Sequence, residues 1–310
     1  MYETMQQDDT SNTRPRKADL QIPVSPIARG DASPAPLIDI GANLTAKSFP
    51  RERIPDILSR AARAGLTHII LTGTSYKASR EVLHLCSSFD GLHGVRLRCT
   101  VGIHPHDATR TMTGPHSTTF IADLKRLISA DSDGFVVAVG ECGLDYDRKF
   151  STHEHQKTVF ERQLCLAETL SKPVFLHSRD AHADFLTILR PFLQRGLKAV
   201  VHCHTDPSIP NLRELLDAGA YIGLTGMICD ERPGRFNTDV LAAVPLERLM
   251  IETDSPYLFP RNVPRPWGKW QNEPCLLPWV VRKLVEVRGD CSEEEVAVKT
   301  SKVAMDFFRL

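Results

Sequence analysis

Several things the 310-residue chain lacks narrow its nature first. It has no excess of either charge: Lys and Arg total 38, as do Asp and Glu. A coat protein that grips nucleic acid through a global positive field is therefore excluded, although an enzyme needs only a local basic patch. No apolar run approaches the roughly 20 residues that span a bilayer. The opening residues carry Glu3, Asp8 and Asp9 instead of the apolar stretch of a secretory signal. The same acids argue against a mitochondrial presequence, despite Arg14, Arg16 and Lys17. No C-x-x-C pair occurs among the 8 cysteines, Cys86, Cys99, Cys142, Cys165, Cys203, Cys229, Cys275 and Cys291. They read as reduced thiols of a cytoplasmic protein, with the nucleus as the alternative. A glycine-rich phosphate loop is missing too: "DIGANLTAKSF" does not supply one after the first apolar run, which counts against a doubly wound open sheet.

What is present starts with a change of rhythm. Residues 1–36 are polar, rich in Pro, Ser, Asp and Arg, and end in "DASPAP". That composition predicts a disordered tail outside the fold, a dispensable extension or else a targeting or interaction arm. From Leu37 onward short apolar runs alternate with amphipathic segments, and the 42% hydrophobic content suffices for a sizeable core. The runs are "LIDIGAN", "HIILTGT", "RLRCTVGIH", "FVVAVGECG", "PVFLHS", "AVVHCHT", "AYIGLTG" and "LMIETDS". Helical candidates lie between them. "FERQLCLAETL" sets Phe160, Leu164, Ala167 and Leu170 on one face, and "IPDILSRAARAG" and "IPNLRELLDAG" end in glycine. "NEPCLLPWVVRKLVEVRG" opens on a cap-competent Asn272 with an early Pro. Eight runs, each followed by a helical candidate, predict an α/β TIM barrel, (β/α)8, over residues 37–310.

In such a barrel the chemistry sits at the C-terminal ends of the strands. Those ends carry His104 and His106 (run three), Glu141 (run four), His177 (run five), His202 and His204 (run six), and Glu252 and Asp254 (run eight); run one carries Asp39 and Asn43. Each alone has a bland explanation: a satisfied core histidine, a buried ion-pair partner, or a turn cap at Asp254 before Ser255 and Pro256. Four strands that place Glu141, His177, His202 and Asp254 at equivalent positions predict something sharper. Imidazole and carboxylate without thiolate suit a hard-to-borderline divalent metal. Strand alternation would turn Cys142 and Cys203 away from the axis, toward the helices, and put His204 on the face of His202. Gly140 and Gly143 read as room for ions and phosphate beside Glu141.

From about Leu37 to Phe308 the chain resembles the TatD-type metal-dependent deoxyribonucleases, a family of metallo-dependent hydrolase barrels. The resemblance rests on "DIGANLT", "LTGTS", "VGIHPHDA", "VGECGLDYDR", "PVFLHSRDAH", "VVHCHT", "YIGLTGMICDER", "IETDSPYL" and "QNEP", in that order. It implies that Glu141, His177, His202 and Asp254 are metal ligands and that His104 and His106 lie near the scissile phosphate. It also implies stepwise 3′-to-5′ removal of nucleotides from single-stranded DNA or 3′ ends, with RNA as a further polymer. Many members carry an H-x-H pair on strand one; here Gly41 and Asn43 stand in its place. One or two ions are expected, with Asn43 a weak ligand. Mg²⁺ suits a site that keeps waters, and Zn²⁺ or Mn²⁺ are alternatives. A second departure is "HCHTD", where relatives commonly have Phe and then Gly.

The expected chemistry is a metal-activated water with Asp254 accepting its proton, and His104 or His106 neutralising charge or protonating the leaving oxygen. Arg179 and Arg232 are candidate phosphate contacts, or plain surface charge. Tyr146 and Tyr257 are candidate base-stacking residues, or loop packing. A monomer is expected. Two rivals stand beside this reading: a small-molecule amidohydrolase-type hydrolase on the same barrel, and a non-catalytic binding protein. Glu141, where many amidohydrolases carry a carboxylated lysine, counts against the first; the four remaining ligands count against the second.

Overall fold

The computed structural model describes residues 22–232, 237–264 and 271–310. Eight strands form one parallel sheet in sequence order: β1 (Leu37–Ala42), β2 (Leu66–Leu71), β3 (Arg96–Val101), β4 (Val136–Asp145), β5 (Val174–Arg179), β6 (Ala199–Val201), β7 (Tyr221–Leu224) and β8 (Leu249–Ile251). Parallel neighbours need crossovers, and helices supply them. These are α1 (Ile54–Arg63), α2 (Tyr76–Phe89), α3 (Ala108–Thr113), α4 (Phe120–Ser129), α5 (His153–Thr169), α6 (His182–Gln194), α7 (Ile209–Asp217) and α8 (Thr238–Ala243), then α9 (Leu277–Arg288) and α10 (Glu293–Phe308) after β8. Hydroxyls of Ser75, Thr152, Ser208 and Ser292 cap α2, α5, α7 and α10 by accepting a backbone N–H of the first turn.

The sheet closes on itself. The Asp254 N–H donates to the Gly41 carbonyl at 2.8 Å, and the Asn43 N–H donates to the Ser255 carbonyl at 2.7 Å. The result is the expected (β/α)8 barrel. Ile38, Ile40, Ile70, Val137, Phe175, Val200 and Met250 fill its interior. Leu58, Val82, Leu124, Phe160 and Phe185 belong to the larger apolar layer. All ten residues of β4 are buried, which is why its sequence reads as continuous rather than alternating.

Four sequence expectations change. Residues 22–36, read as outside the fold, are packed on it: Ile27 and Ala35 are 1% and 0% exposed, and Arg282 Nη2 donates to the Ser25 and Pro26 carbonyls at 3.1 and 3.3 Å. Two apolar residues in a polar stretch were enough to find a groove. The remainder of the tail, residues 1–21, lies outside the described residues. Asn272 does not cap a helix. Its Nδ2 donates to the carbonyls of Thr253 (2.8 Å) and Tyr257 (2.6 Å), tying down the loop after β8. Gly140 and Gly143 make room for β5, not for ions. A Cβ on Gly140 (φ 147°) would strike the Phe175 carbonyl, and one on Gly143 (φ 143°) the His177 carbonyl. The fourth change concerns Cys203, beside the site.

Candidate metal centre and active site

Four strand ends converge on Glu141. Its Oε1 lies 3.2 Å from His104 Nε2, 3.0 Å from His177 Nδ1 and 2.7 Å from His202 Nε2. A carboxylate oxygen has about two lone pairs and cannot serve three imidazoles at once. One ligand atom each from His104, Glu141 and His177 falls within a 4.8 Å span, a compact nitrogen and oxygen set without thiolate. That donor chemistry fits a divalent cation. His104, read from sequence as a phosphate-side residue, thus joins the compact trio, and His202 meets the same Glu141 oxygen. Burial works against charge here, yet His202 and His104 hold the Glu141 carboxyl well below the usual range. Burial likewise opposes the His202 proton, but Glu141 and Glu252 keep its pKa well above 6.5.

Asp254 sits in the seam between β8 and β1. Its Oδ1 accepts a hydrogen bond from Asn43 Nδ2 at 2.8 Å, so Asn43 orients the carboxylate. Burial pushes Asp254 up to about 7, and Glu252 and Glu141 add to the rise while His202 opposes it. Beneath, Asp39 accepts from Thr253 N (2.9 Å), Thr253 Oγ1 (2.5 Å) and Gly41 N (3.2 Å), and burial lifts its pKa to about 8. Gly41 leaves no place for a side chain: a Cβ there would collide with the Glu252 carboxylate. Glu252 also accepts the Cys203 N–H at 2.5 Å and lies 3.4 Å from His202 Nδ1. Cys203 is not turned to the helices. β6 ends at Val201, Cys203 takes φ 44°, and the strand alternation that would have pointed it outward no longer applies. Its thiol lies 3.7 Å from Thr225 Oγ1; burial, then Asp254 and Glu252, raise its pKa well above 9. Cys142, by contrast, is the buried core residue expected of it.

The sequence reading passed over Asp145. This fully buried carboxylate places Oδ2 2.8 Å from His106 Nε2 and 3.1 Å from His177 Nε2. Its Oδ1 accepts the Arg148 N–H at 2.9 Å. His177 is therefore held between two carboxylates, one at each ring nitrogen. The available signal was that β4 continues for two residues past Gly143, carrying Asp145 to the mouth.

The proposed substrate contacts divide. Arg179 is 34% exposed with Nη1 3.8 Å from Asp145 Oδ2, so it lies beside the His106 and His177 pair. Arg232 is exposed, and its Nε and Nη2 bond to Asp230 at 2.8 and 2.5 Å. Tyr146 stacks on His153 at 3.6 Å, and its hydroxyl donates to Asp184 at 2.6 Å, which occupies both its ring face and its polar tip. Tyr257 is 58% exposed in the loop after Asp254. His204 is buried with Nε2 unpartnered, and burial lowers its pKa to about 4.

Known proteins resemble this chain in sequence and in fold. The model of the TatD related DNase family matches residues 38–309. The "3′-5′ ssDNA/RNA exonuclease TatD" of Edwardsiella piscicida is 44% identical over 253 residues, 81% of this chain and 92% of its own. The protein of that name from Pantoea vagans is 40% identical over 275 residues, 88% of this chain and 100% of its own. Among solved structures, a TatD-family hydrolase of Entamoeba histolytica superposes with TM-score 0.77 at 26% identity, covering 88% of this chain and 97% of its own. A TatD homologue of Escherichia coli does so with TM-score 0.75 at 27% identity, covering 88% and 98%. The chain belongs to the TatD related DNase family.

Proposed function

We propose that the protein is a divalent-metal-dependent exonuclease that hydrolyses phosphodiester bonds from the 3′ end of single-stranded DNA, and of RNA as a second substrate. The observation that carries this reading is the meeting of three imidazoles on one oxygen of Glu141 at the barrel mouth. Glu141, His177 and His202, with His104 and the Asp254 carboxylate close by, would hold one or two ions, Mg²⁺ by preference and Zn²⁺ or Mn²⁺ as alternatives. The ion supplies Lewis acidity toward a phosphoryl oxygen and lowers the pKa of water.

The chain's own groups do the rest. Asp254, fixed by Asn43, accepts the proton of the attacking water. His106, backed by Asp145, returns a proton to the leaving oxygen. Arg179 lies where its guanidinium can meet a phosphate. Arg232, His204 and Tyr257 are further substrate contacts in this reading, and Tyr257 is the most open of them, whereas His153 and Asp184 already engage Tyr146. A monomer completes this reading. The 8 free cysteines suit the reducing cytoplasm.

The test is hydrolysis of a 3′-labelled single-stranded oligonucleotide with Mg²⁺, with and without EDTA, by wild type and Glu141→Ala. Wild type releases labelled mononucleotide, EDTA stops it, and Glu141→Ala loses roughly 10³-fold or more of the rate. Equal degradation by wild type and variant would exclude the assignment.

A further inference from the structure

Phe150 is the most exposed large apolar side chain among the described residues, with 67% of its surface in water. It does not stand on a random surface. Its ring centroid lies 4.8 Å from that of His106, at 58°, and His106 in turn lies 4.2 Å from His104 of the metal-type trio.

The loop that carries Phe150 is pinned in this position. Asp145 Oδ1 accepts the Arg148 N–H at 2.9 Å and folds the chain back over the strand end. One residue after the phenylalanine, the Ser151 hydroxyl donates to the His106 carbonyl at 2.9 Å and accepts the Thr109 N–H at 2.9 Å. Gln156 Nε2 donates to the Ser151 carbonyl at 3.1 Å. Four hydrogen bonds thus hold an apolar ring out over the mouth. A ring held by its packing would be buried, since exposure forfeits the gain of taking apolar surface out of water.

The surroundings state what such a ring would meet. Arg148 and Lys149 precede it and are exposed, Arg148 lying 3.3 Å from Asp147; Arg179 stands at the neighbouring strand end. An apolar plane flanked by cations, beside a cluster suited to a metal, is complementary to a planar apolar group tethered to a phosphate. We propose that Phe150 is a stacking platform for an unpaired nucleobase flanking the scissile phosphate. This inference rests on the nuclease reading above. The ring has no donor or acceptor, so it reads no base edge and accepts all four bases of either polymer. It favours an unpaired base, because inside a duplex both faces of each base are covered by stacking.

Two experiments test it. Hydrolysis with Mg²⁺ compares an oligothymidylate with the same strand whose last two nucleotides are abasic. Wild type takes the intact strand with a KM roughly tenfold lower, the size of one base–aromatic stack. Phe150→Ala and Phe150→Leu lose that preference and Phe150→Tyr keeps it. A preference that survives in Phe150→Ala overturns the proposal. The second experiment needs no turnover. In the inactive Asp254→Asn background with Mg²⁺, Phe150→Trp gains fluorescence that the intact strand quenches and the abasic-ended strand does not. Equal quenching by both strands, or none by either, overturns the platform. Absence of hydrolysis by wild type would instead strike the nuclease reading.

Discussion

Asp145 carries more of the site than its place in the sequence suggests. A histidine that binds metal commonly donates its other ring N–H to a carboxylate, which fixes its tautomer and its orientation. His177 has that arrangement, with Nδ1 at Glu141 and Nε2 at Asp145, and the same Asp145 oxygen steadies His106. Asp145→Asn keeps the shape and removes the charge. We expect the Mg²⁺ or Mn²⁺ affinity, measured by calorimetry, to fall about 10- to 100-fold. Glu141, His177, His202 and Asp254 were legible in the sequence because each ends an apolar run, where a polar side chain needs a reason. Asp145 was not, because Gly143 seemed to end the strand. Phe150 gave no signal either: one aromatic in a charged loop has no period and no motif. Cys203 misled because alternation holds only while the strand does, and β6 stops at Val201.

Among the elements, the strands were the easiest to foresee. Parallel strands buried on both faces must be largely apolar, so each of the eight runs marks one strand, although β2, β4 and β5 extend one or two residues beyond theirs. Their ends were harder, since β6 and β8 stop at Val201 and Ile251, before the buried polar residues His202, His204, Glu252 and Thr253 that their runs carry. Residues 22–36 were missed because composition averages over the two side chains that matter, Ile27 and Ala35. Removing this segment exposes an apolar groove and frees the Arg282 guanidinium from two carbonyls. A chain starting at residue 37 should lose about 3 kcal/mol relative to one starting at residue 22. Calorimetry should then record a Tm lower by roughly 6–12 °C. Among the described residues this segment makes no hydrogen bond to the groups at the barrel mouth, so the melting temperature, not the metal affinity, reports the change.

At the scale of the molecule, protons and a divalent cation compete for one cluster. Burial disfavours charge at His177 and His202, yet neighbouring carboxylates raise both pKa values above 6.5. A group whose folded pKa is raised contributes stability that is complete below its unfolded value and lost as pH climbs through the folded one. The metal-free protein should therefore weaken as pH rises above about 6.5, the unfolded value for His. The loaded protein does not depend on those protons. Saturating Mg²⁺ or Mn²⁺, at about 100 times Kd, adds about 2.7 kcal/mol, or roughly 5–10 °C in Tm. Scanning calorimetry with metal and with EDTA should show that gap widening from about pH 6 toward about pH 9. The seam between β1 and β8 adds an ordering in time. During translation, Glu141 and its three histidines are all made by residue 202, yet the Asp254 carboxylate and the backbone bonds that close the barrel come some fifty residues later. The chain thus carries Glu141 and all three histidines well before it possesses the proposed base, and the site is complete only when the last strand end meets the first.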